Sequence, residues 1–489
     1  MFETYCDARS VFAVREILLP ETVGRIAAPF RKQGNPCQIV SSAAHDKLKV
    51  ASREAFGVNV GWLLARLVIG IGLLSLIVYS QYFWYRGLWR LSANWGSAAL
   101  RVAARLLCLA LVTVSAIAIV DGMRMGRSHW IPRGNIFPSF VGMWFTCAFF
   151  GFLAVQLVRG IERLWRLAVA RRKNRQTADP ARTVRETAEL VADPGRRHFF
   201  KAATAAAGAA PFLGAVYGFA AERLNYQIRR VEIPMPNLPQ ALDGMKIAQL
   251  SDIHLSGYIS REDVRRAVDM ANDLSPDLAV VTGDFITGAS DPLEDCIAEI
   301  QKLAAPLGIY GCNGNHEIYA KAEDAAERLF TQAGMKLLRS ENATLNFRGA
   351  QLNLIGVDYQ RERGPGGRRI QTLAGVDQLV RRDMPNILLS HNPNSFNRAA
   401  ELGIELSLAG HTHGGQVQVE ILDHRLSPAR FITDYIAGLY ARPMGVAATT
   451  GATPIARSHL YVNRGLGTVG APVRLGVPPE ITLITLRKA

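Results

Sequence analysis

Two kinds of apolar run divide this chain. Its first half holds four long ones: Trp62–Tyr82, Val102–Val120, Ile136–Val158 and the alanine-rich Ala202–Ala220. About twenty apolar residues suffice for a helix to cross the hydrocarbon core of a bilayer, so the pattern predicts an all-α transmembrane region. Trp84, Trp89, Trp130 and Trp144 stand at or near the ends of these runs, where aromatic rings settle between lipid and water. The second half is built differently. Its strand-like runs lie at Met245–Leu250, Leu278–Val281, Gly308–Cys312, Ile387–Leu389 and Ile404–Ala409; the first four stop at a polar residue and the last at Gly410-His411. Helix-like segments such as Glu262–Leu274 and Pro292–Leu303 lie between them, and strand-like His459–Val462 and Glu480–Leu486 close the chain. That alternation predicts an α/β domain whose strand ends carry the site.

The expected organisation is therefore an N-terminal extension (1–58), three transmembrane helices (59–158), a basic cytoplasmic linker (159–201), a fourth transmembrane or signal-anchor segment (202–221), an extended stalk (222–244) and the α/β domain (245–489). The stalk is read from the proline-rich stretch Val231–Pro239. Within the last domain, Phe431–Tyr440 has apolar residues at helical spacing, suited to core packing, to an acyl groove or to contact with a membrane surface.

Charge sharpens this picture. The net charge is +15, yet from Glu232 onward 25 basic residues face 28 acidic ones, whereas the first 231 residues carry 31 basic and 13 acidic. The basic excess flanks the apolar runs, which is the pattern of a multi-pass membrane protein, and no cationic stripe with interleaved aromatics points to nucleic acid. Arg159, Arg163, Arg166, Arg171, Arg172, Lys173 and Arg175 follow the third run and place the linker in the cytoplasm. The linker ends in Gly195-Arg196-Arg197-His198-Phe199-Phe200-Lys201, which is either a twin-arginine export signal or an ordinary positive anchor. Both readings deliver everything after the fourth run outside the cytoplasm. Six cysteines show neither metal nor disulfide spacing, and pairing of Cys296 with Cys312 stays open.

Five polar strings follow the short runs: Ser251-Asp252-Ile253-His254, Thr282-Gly283-Asp284, Asn313-Gly314-Asn315-His316-Glu317, Ser390-His391-Asn392-Pro393 and Gly410-His411-Thr412-His413-Gly414-Gly415-Gln416. Imidazole, carboxylate and amide donors at successive strand ends are suited to holding metal. Asp252 and His254, two apart at the end of a strand, are expected on one face.

This ordered set resembles the calcineurin-like metallophosphoesterase superfamily, and the fuller strings LSDIHLS, VVTGDFITG, GNHE, LSHNP and AGHTHGGQ resemble its bacterial membrane-anchored or twin-arginine-exported branch. The resemblance covers roughly residues 230–489. It implies a two-sheet α/β sandwich flanked by helices and a binuclear centre of two divalent ions, Mn, Fe or Zn. Carried over by position, Asp252, His254 and His413 would hold one ion, Asn315, His391 and His411 the other, and Asp284 would bridge them. His316 would be the catalytic residue, donating a proton to the leaving oxygen or stabilising the transition state. The implied protein is a phosphoric ester hydrolase of the bacterial inner membrane with an extracytoplasmic catalytic domain. Its substrate would be a phosphomonoester or phosphodiester, lipid-linked, cell-envelope-linked or soluble, and a non-catalytic metal-stabilised module stays open as the alternative. Arg361, Arg363, Arg368 and Arg369 around Gly364-Pro365-Gly366-Gly367 are either a solvated loop or a loop that steers anions.

Overall fold

The computed structural model describes residues 60–123, 137–174, 194–361, 370–421, 424–431, 433–445 and 456–489. The extension 1–58, most of the basic linker and Arg363, Arg368 and Arg369 lie outside the described residues. The chain divides into two compact units, 1–76 and 77–489. Of the first, only the opening turns of a helix are described.

Among the described residues four long helices come first: α1 (Val60–Ala93), α2 (Ala98–Met123), α3 (Phe137–Asn174) and α4 (Pro194–Tyr217), the last running into a π turn, Gly218–Glu222. Among the described residues three stretches are long and apolar enough to cross a membrane: Leu67–Ala93, Ser139–Arg171 and Pro194–Glu222. Leu106 and Leu109 of α2, Leu157 of α3, and Leu213 and Val216 of α4 are all exposed, which a water-soluble protein avoids on this scale. Helices α3 and α4 pack against each other through small residues. A Cβ on Gly208 of α4 would strike the Trp84 ring, and the Trp84 indole N–H donates to Ala148 O at 2.7 Å. Arg196, the first arginine of the pair read from the sequence, is buried beside Glu162 at 3.7 Å and stacks over Trp165.

The described residues after α4 form two six-stranded mixed sheets and a two-stranded antiparallel ribbon, β10 (Val419–Ile421) with β11 (His424–Leu426). The first has the order β1 (Gln227–Met235), β14 (Glu480–Lys488), β2 (Lys246–Leu250), β3 (Leu278–Thr282), β4 (Ile309–Cys312), β5 (Lys336–Leu337). The second runs β12 (Gly438–Pro443), β13 (Arg457–Val462), β9 (Leu406–Ala409), β8 (Asn386–Ser390), β7 (Ala350–Val357), β6 (Glu341–Phe347). Strands β3 and β8 are buried at every residue, as parallel strands covered on both faces must be, which is why they read as unbroken apolar runs. Ile247, Val280 and Ile484 of one sheet meet Leu354, Leu389 and Leu408 of the other in the central core.

Helices cover the outer faces. Helix α5 (Arg261–Asn272) starts at a capping box, with the Ser260 hydroxyl accepting from Asp263 N and the Asp263 carboxylate accepting from Ser260 N. It buries Val264, Ala267, Val268 and Ala271, spaced as one helical stripe. Helix α6 (Leu293–Ile300) lies beside it, and Glu299 of α6 ties the two together through Arg261 and Arg265. Short α7 (Asn315–Ala320), α8 (Glu323–Gln332) and α9 (Phe396–Leu402) follow β4 and β8. Cys296 belongs to the outer core and Cys312 to the central core, and both are free thiols.

Two expectations are corrected here. The stretch read as a stalk is strand β1, paired in parallel with β14 along its whole length. Ile233, Met235 and Leu238 are fully buried in the central core, so that burial fixes the segment to the sheet. Pro234 is tolerated because β1 is an edge strand. Phe431–Tyr440 does not run on as a helix: Phe431 closes a 3-10 turn (Pro428–Phe431), residues 433–437 form a loop, and Gly438 at φ +91° opens strand β12.

Without a stalk, the end of α4 and the π turn after it press directly on the two-sheet half. Arg474 N donates to Gly218 O at 3.4 Å, Gly476 N to the Glu222 carboxylate at 3.0 Å, and a Cβ on Gly218 would collide with Arg474 O and Val473. Phe219 stacks on Phe140 of α3, which in turn meets Tyr258. Gly218→Val is therefore expected to cost about 1–3 kcal/mol through overpacking, seen as a lower thermal midpoint of the detergent-solubilised chain. An unchanged midpoint would show that this helix end bears no load.

Candidate metal centre

Eight side chains singled out from the sequence lie together at the carboxyl ends of β2, β3, β4, β8 and β9. Asp252 and His254 follow β2, Asp284 follows β3, Asn315 and His316 open α7 after β4, His391 follows β8, and His411 and His413 follow β9. Open α/β sheets place their sites at this edge. Three groups of donor atoms, each within 4.8 Å of one another, emerge: Asp252 with His254 and His413, His254 with Asp284 and His316, and Asp284 with His391 and His411. Asp284 is shared by two groups, and Asn315 Oδ1 adjoins the last at 2.7 Å from His411 Nδ1.

The backbone that achieves this is strained. Asp252, His254, Asp284, His411 and His413 all have φ between +48° and +76°, a region that costs side-chain-bearing residues energy and persists at functional sites. The expectation that Asp252 and His254 converge because they alternate along a strand fails, since β2 stops at Leu250. They converge because both are turned left-handed, with Asp252 N bonded to Gly283 O and His254 N to Asp284 O.

Each imidazole is held by one nitrogen. His254 Nδ1 lies 3.1 Å from Ile286 O, His391 Nδ1 2.6 Å from Thr282 O, His413 Nδ1 3.3 Å from Gly467 O and His316 Nδ1 2.7 Å from Thr287 O. Anchoring Nδ1 to a carbonyl directs Nε2 into the cluster and raises its basicity toward a cation. There, Nε2 of His254 and of His391 is buried without a hydrogen bond, although Asp284 Oδ2 is 3.5 and 3.1 Å away. With Nδ1–H on a carbonyl, the Nε2 of a neutral ring carries a lone pair, and a buried lone pair without a partner costs about 1–3 kcal/mol unless something coordinates it.

The electrostatics agree with a cation. Burial pushes His254 down to about 3 and His411 to about 4, and holds His413 well below its usual range. These rings are neutral, as metal ligands must be. Burial acts on His391 in the same direction, but Asp284 and Asp252 outweigh it and lift the ring to about 10. Burial would raise Asp284 as well, yet His391 and His254 keep its carboxyl well below the usual carboxylate range. Two fully buried carboxylates thus impose a positive charge on this point, and divalent ions fit the donor set.

Four supporting residues had no role in the sequence reading. Glu317 is fully buried and accepts from Asp284 N (2.9 Å), Phe285 N (2.8 Å) and Gly314 N (2.8 Å). Its position three residues beyond Gly314, closing a capping box, was the available signal. Ser251 donates to Asp252 Oδ2 at 2.6 Å. Gly410 passes so close to Ser251 and Asp252 that any Cβ would collide with both. Buried Arg474 donates to Gly467 O, the carbonyl that faces His413, and reaches His413 Nδ1 at 3.4 Å.

Comparison with known proteins places this geometry. Residues 245–415 match the profile of the calcineurin-like phosphoesterase family. An uncharacterized metallophosphoesterase of Bacillus subtilis is 31% identical over 298 residues, spanning 60% of this chain and 97% of that protein. The chain belongs to the calcineurin-like phosphoesterase family. A bovine transmembrane protein with metallophosphoesterase domain is 33% identical over 276 residues, of which this chain covers 57% of that protein's length. The UDP-2,3-diacylglucosamine pyrophosphatase of Chlamydia trachomatis is 27% identical over 315 residues, 56% of this chain and 94% of that one.

Glu317→Ala removes the acceptor of three buried N–H groups around Asp284 and is expected to cost about 3 kcal/mol or more. Glu317→Gln, which keeps one accepting oxygen, should fall between it and the native chain. Denaturant unfolding of the full chain measures both, and equal stabilities would remove Glu317 from this role.

Proposed function

We propose that this calcineurin-like phosphoesterase is a membrane-anchored hydrolase of phosphomonoesters or phosphodiesters that acts outside the cytoplasm with two divalent ions, Mn, Fe or Zn. The observation that carries it is Asp284, a buried carboxylate common to two of the donor groups, one with His254 and His316 and one with His391 and His411. In this reading Asp252, His254 and His413 hold one ion, Asn315, His391 and His411 the other, and Asp284 both. Mixed nitrogen and oxygen donors without a thiolate suit these metals. Bound there, paired cations polarise a phosphoryl group and make water nucleophilic at neutral pH.

The protein's own residues do the rest. His316 is half-buried at the rim, its ring 4.7 Å from that of His254. With Nδ1–H fixed on Thr287 O, Nε2 carries a proton only in the imidazolium form, and it is that form which can give a proton to the leaving oxygen and end as the neutral ring. Asp284 Oδ1 accepts from His316 N at 2.9 Å, which sets the base of that turn. Arg361 stacks on Tyr319, whose ring neighbours His316, so a cation stands on the leaving-group side. The exposed apolar helices and the basic excess before residue 232 support a multi-pass inner-membrane protein with the phosphoesterase half outside. The named activity of the chlamydial relative, a pyrophosphatase acting on a diacyl sugar nucleotide, supports a lipid-linked substrate. The arginine pair at 196–197 fits an internal twin-arginine signal as well as an anchor.

His316→Ala is expected to keep its metal content while losing about 10²–10⁴-fold in turnover of an aryl phosphodiester. Full turnover, or loss of metal, would place His316 elsewhere in the mechanism. Asp284→Asn should drop from two ions per chain to at most one, counted by elemental analysis after supply of Mn, Zn or Fe. A variant that retains two ions would contradict the shared-ligand role.

A further inference from the structure

A cavity of about 470 Å³ lies against the turn that carries His411 and His413, lined by Gln418, Ser427, Arg430, Thr433, Tyr440 and Arg464 among others. None of the metal-donor residues lines it. Its walls nevertheless touch their turn directly. The Thr412 hydroxyl donates to Ile436 O, a Cβ on Gly414 would meet Arg464 Cγ at 3.3 Å and Ala437 Cβ at 3.7 Å, and Gly415 abuts Ser427. Ile436 and Ala437 also line the cavity.

The cavity is also tied to the end of α4. Gln418 N donates to Leu475 O at 2.8 Å, Leu475 N donates to Gln416 O at 3.0 Å, and a Cβ on Gly214 would meet Leu475 Cδ2 at 3.3 Å. Gly214 lies within the stretch of α4 long and apolar enough to span a membrane, eight residues and about 12 Å of helix before Glu222. The cavity wall at Gln418 is therefore linked through Leu475 to a helix long and apolar enough to cross a membrane. Two guanidinium groups point to the ligand's charge. Arg464 is partly balanced by Glu480 at 3.3 Å, whereas Arg430 is exposed and makes no ion pair among the described residues. Asp434, with the hydroxyls of Ser427, Thr433 and Tyr440, supplies partners for hydroxyl groups.

We infer that this cavity binds the phosphate-bearing, hydroxyl-rich head group of a membrane lipid and presents it beside the metal centre. The inference rests on the phosphoesterase reading for its purpose, but not for its test. Arginine is suited to phosphate through paired charge-assisted hydrogen bonds, and the link to α4 through Leu475 favours a phosphate carried on a membrane lipid.

The experiment measures calorimetric binding of a short-chain phosphatidylglycerol and of glycerol 1-phosphate to the full chain in neutral detergent, with no metal added. The lipid should bind more tightly than glycerol 1-phosphate. Arg430→Gln should weaken lipid binding about tenfold or more, the worth of a hydrogen bond to a charged group, and Arg430→Lys should recover part of it. Arg430 is exposed, so these variants leave the core untouched. Equal affinity for the two probes would assign the cavity to a soluble phosphate compound and overturn the lipid. Unchanged affinity in Arg430→Gln would overturn the site itself. Because metal is left out, binding is read apart from turnover; a chain that binds the lipid but hydrolyses no phosphoester once Mn, Zn or Fe is supplied refutes only the hydrolase reading.

Discussion

Two carboxylates without water around them govern this half of the molecule. Asp252 and Asp284 are fully buried, within a few ångströms of the same imidazole, and such a pair is stable only if positive charge joins them. Every neighbouring feature answers to that demand. Carbonyls of Ile286, Thr282 and Gly467 turn the histidines inward, Glu317 gathers the N–H groups of the β3 and β4 loops, and the ligand residues accept left-handed backbone. The sandwich supplies the rigidity that makes such strain sustainable.

Much of this was legible because parallel strands and their ends leave separate marks in a sequence. Leu278–Thr282 and Asn386–Ser390 are apolar throughout since both faces are covered, and the polar strings begin where the covering stops. The donor residues were legible for the same reason, as nothing structural asks for His411 and His413 in a glycine turn. What escaped notice was long-range. Strand β1 looks like a linker until β14, some 250 residues later, offers it a partner. The loop before β12 shows helical spacing, but Gly438 and the packing of Tyr440 against Ile436 N decide otherwise. Arg474 was invisible because its partners are carbonyls brought together by folding.

The helices and the phosphoesterase half also share parts. The loop of Val473 and Arg474 rests on Gly218 while Arg474 braces the carbonyl beside His413, so two contacts separate the end of α4 from a metal donor. A tether through β1 alone would leave the domain free to swing. This arrangement holds the centre at a fixed height above the helix end, and a substrate has to come to it there.

Arg196 carries one more consequence. In the folded chain its guanidinium is buried between Glu162 and Trp165, inside the pairing of α3 and α4. A receptor that recognises two adjacent arginines needs both in the open. If export machinery reads this pair, it does so on a nascent chain before α4 finds α3, and helix pairing then erases the address. Order of assembly, more than the presence of the motif, would then decide whether the pair can be read at all.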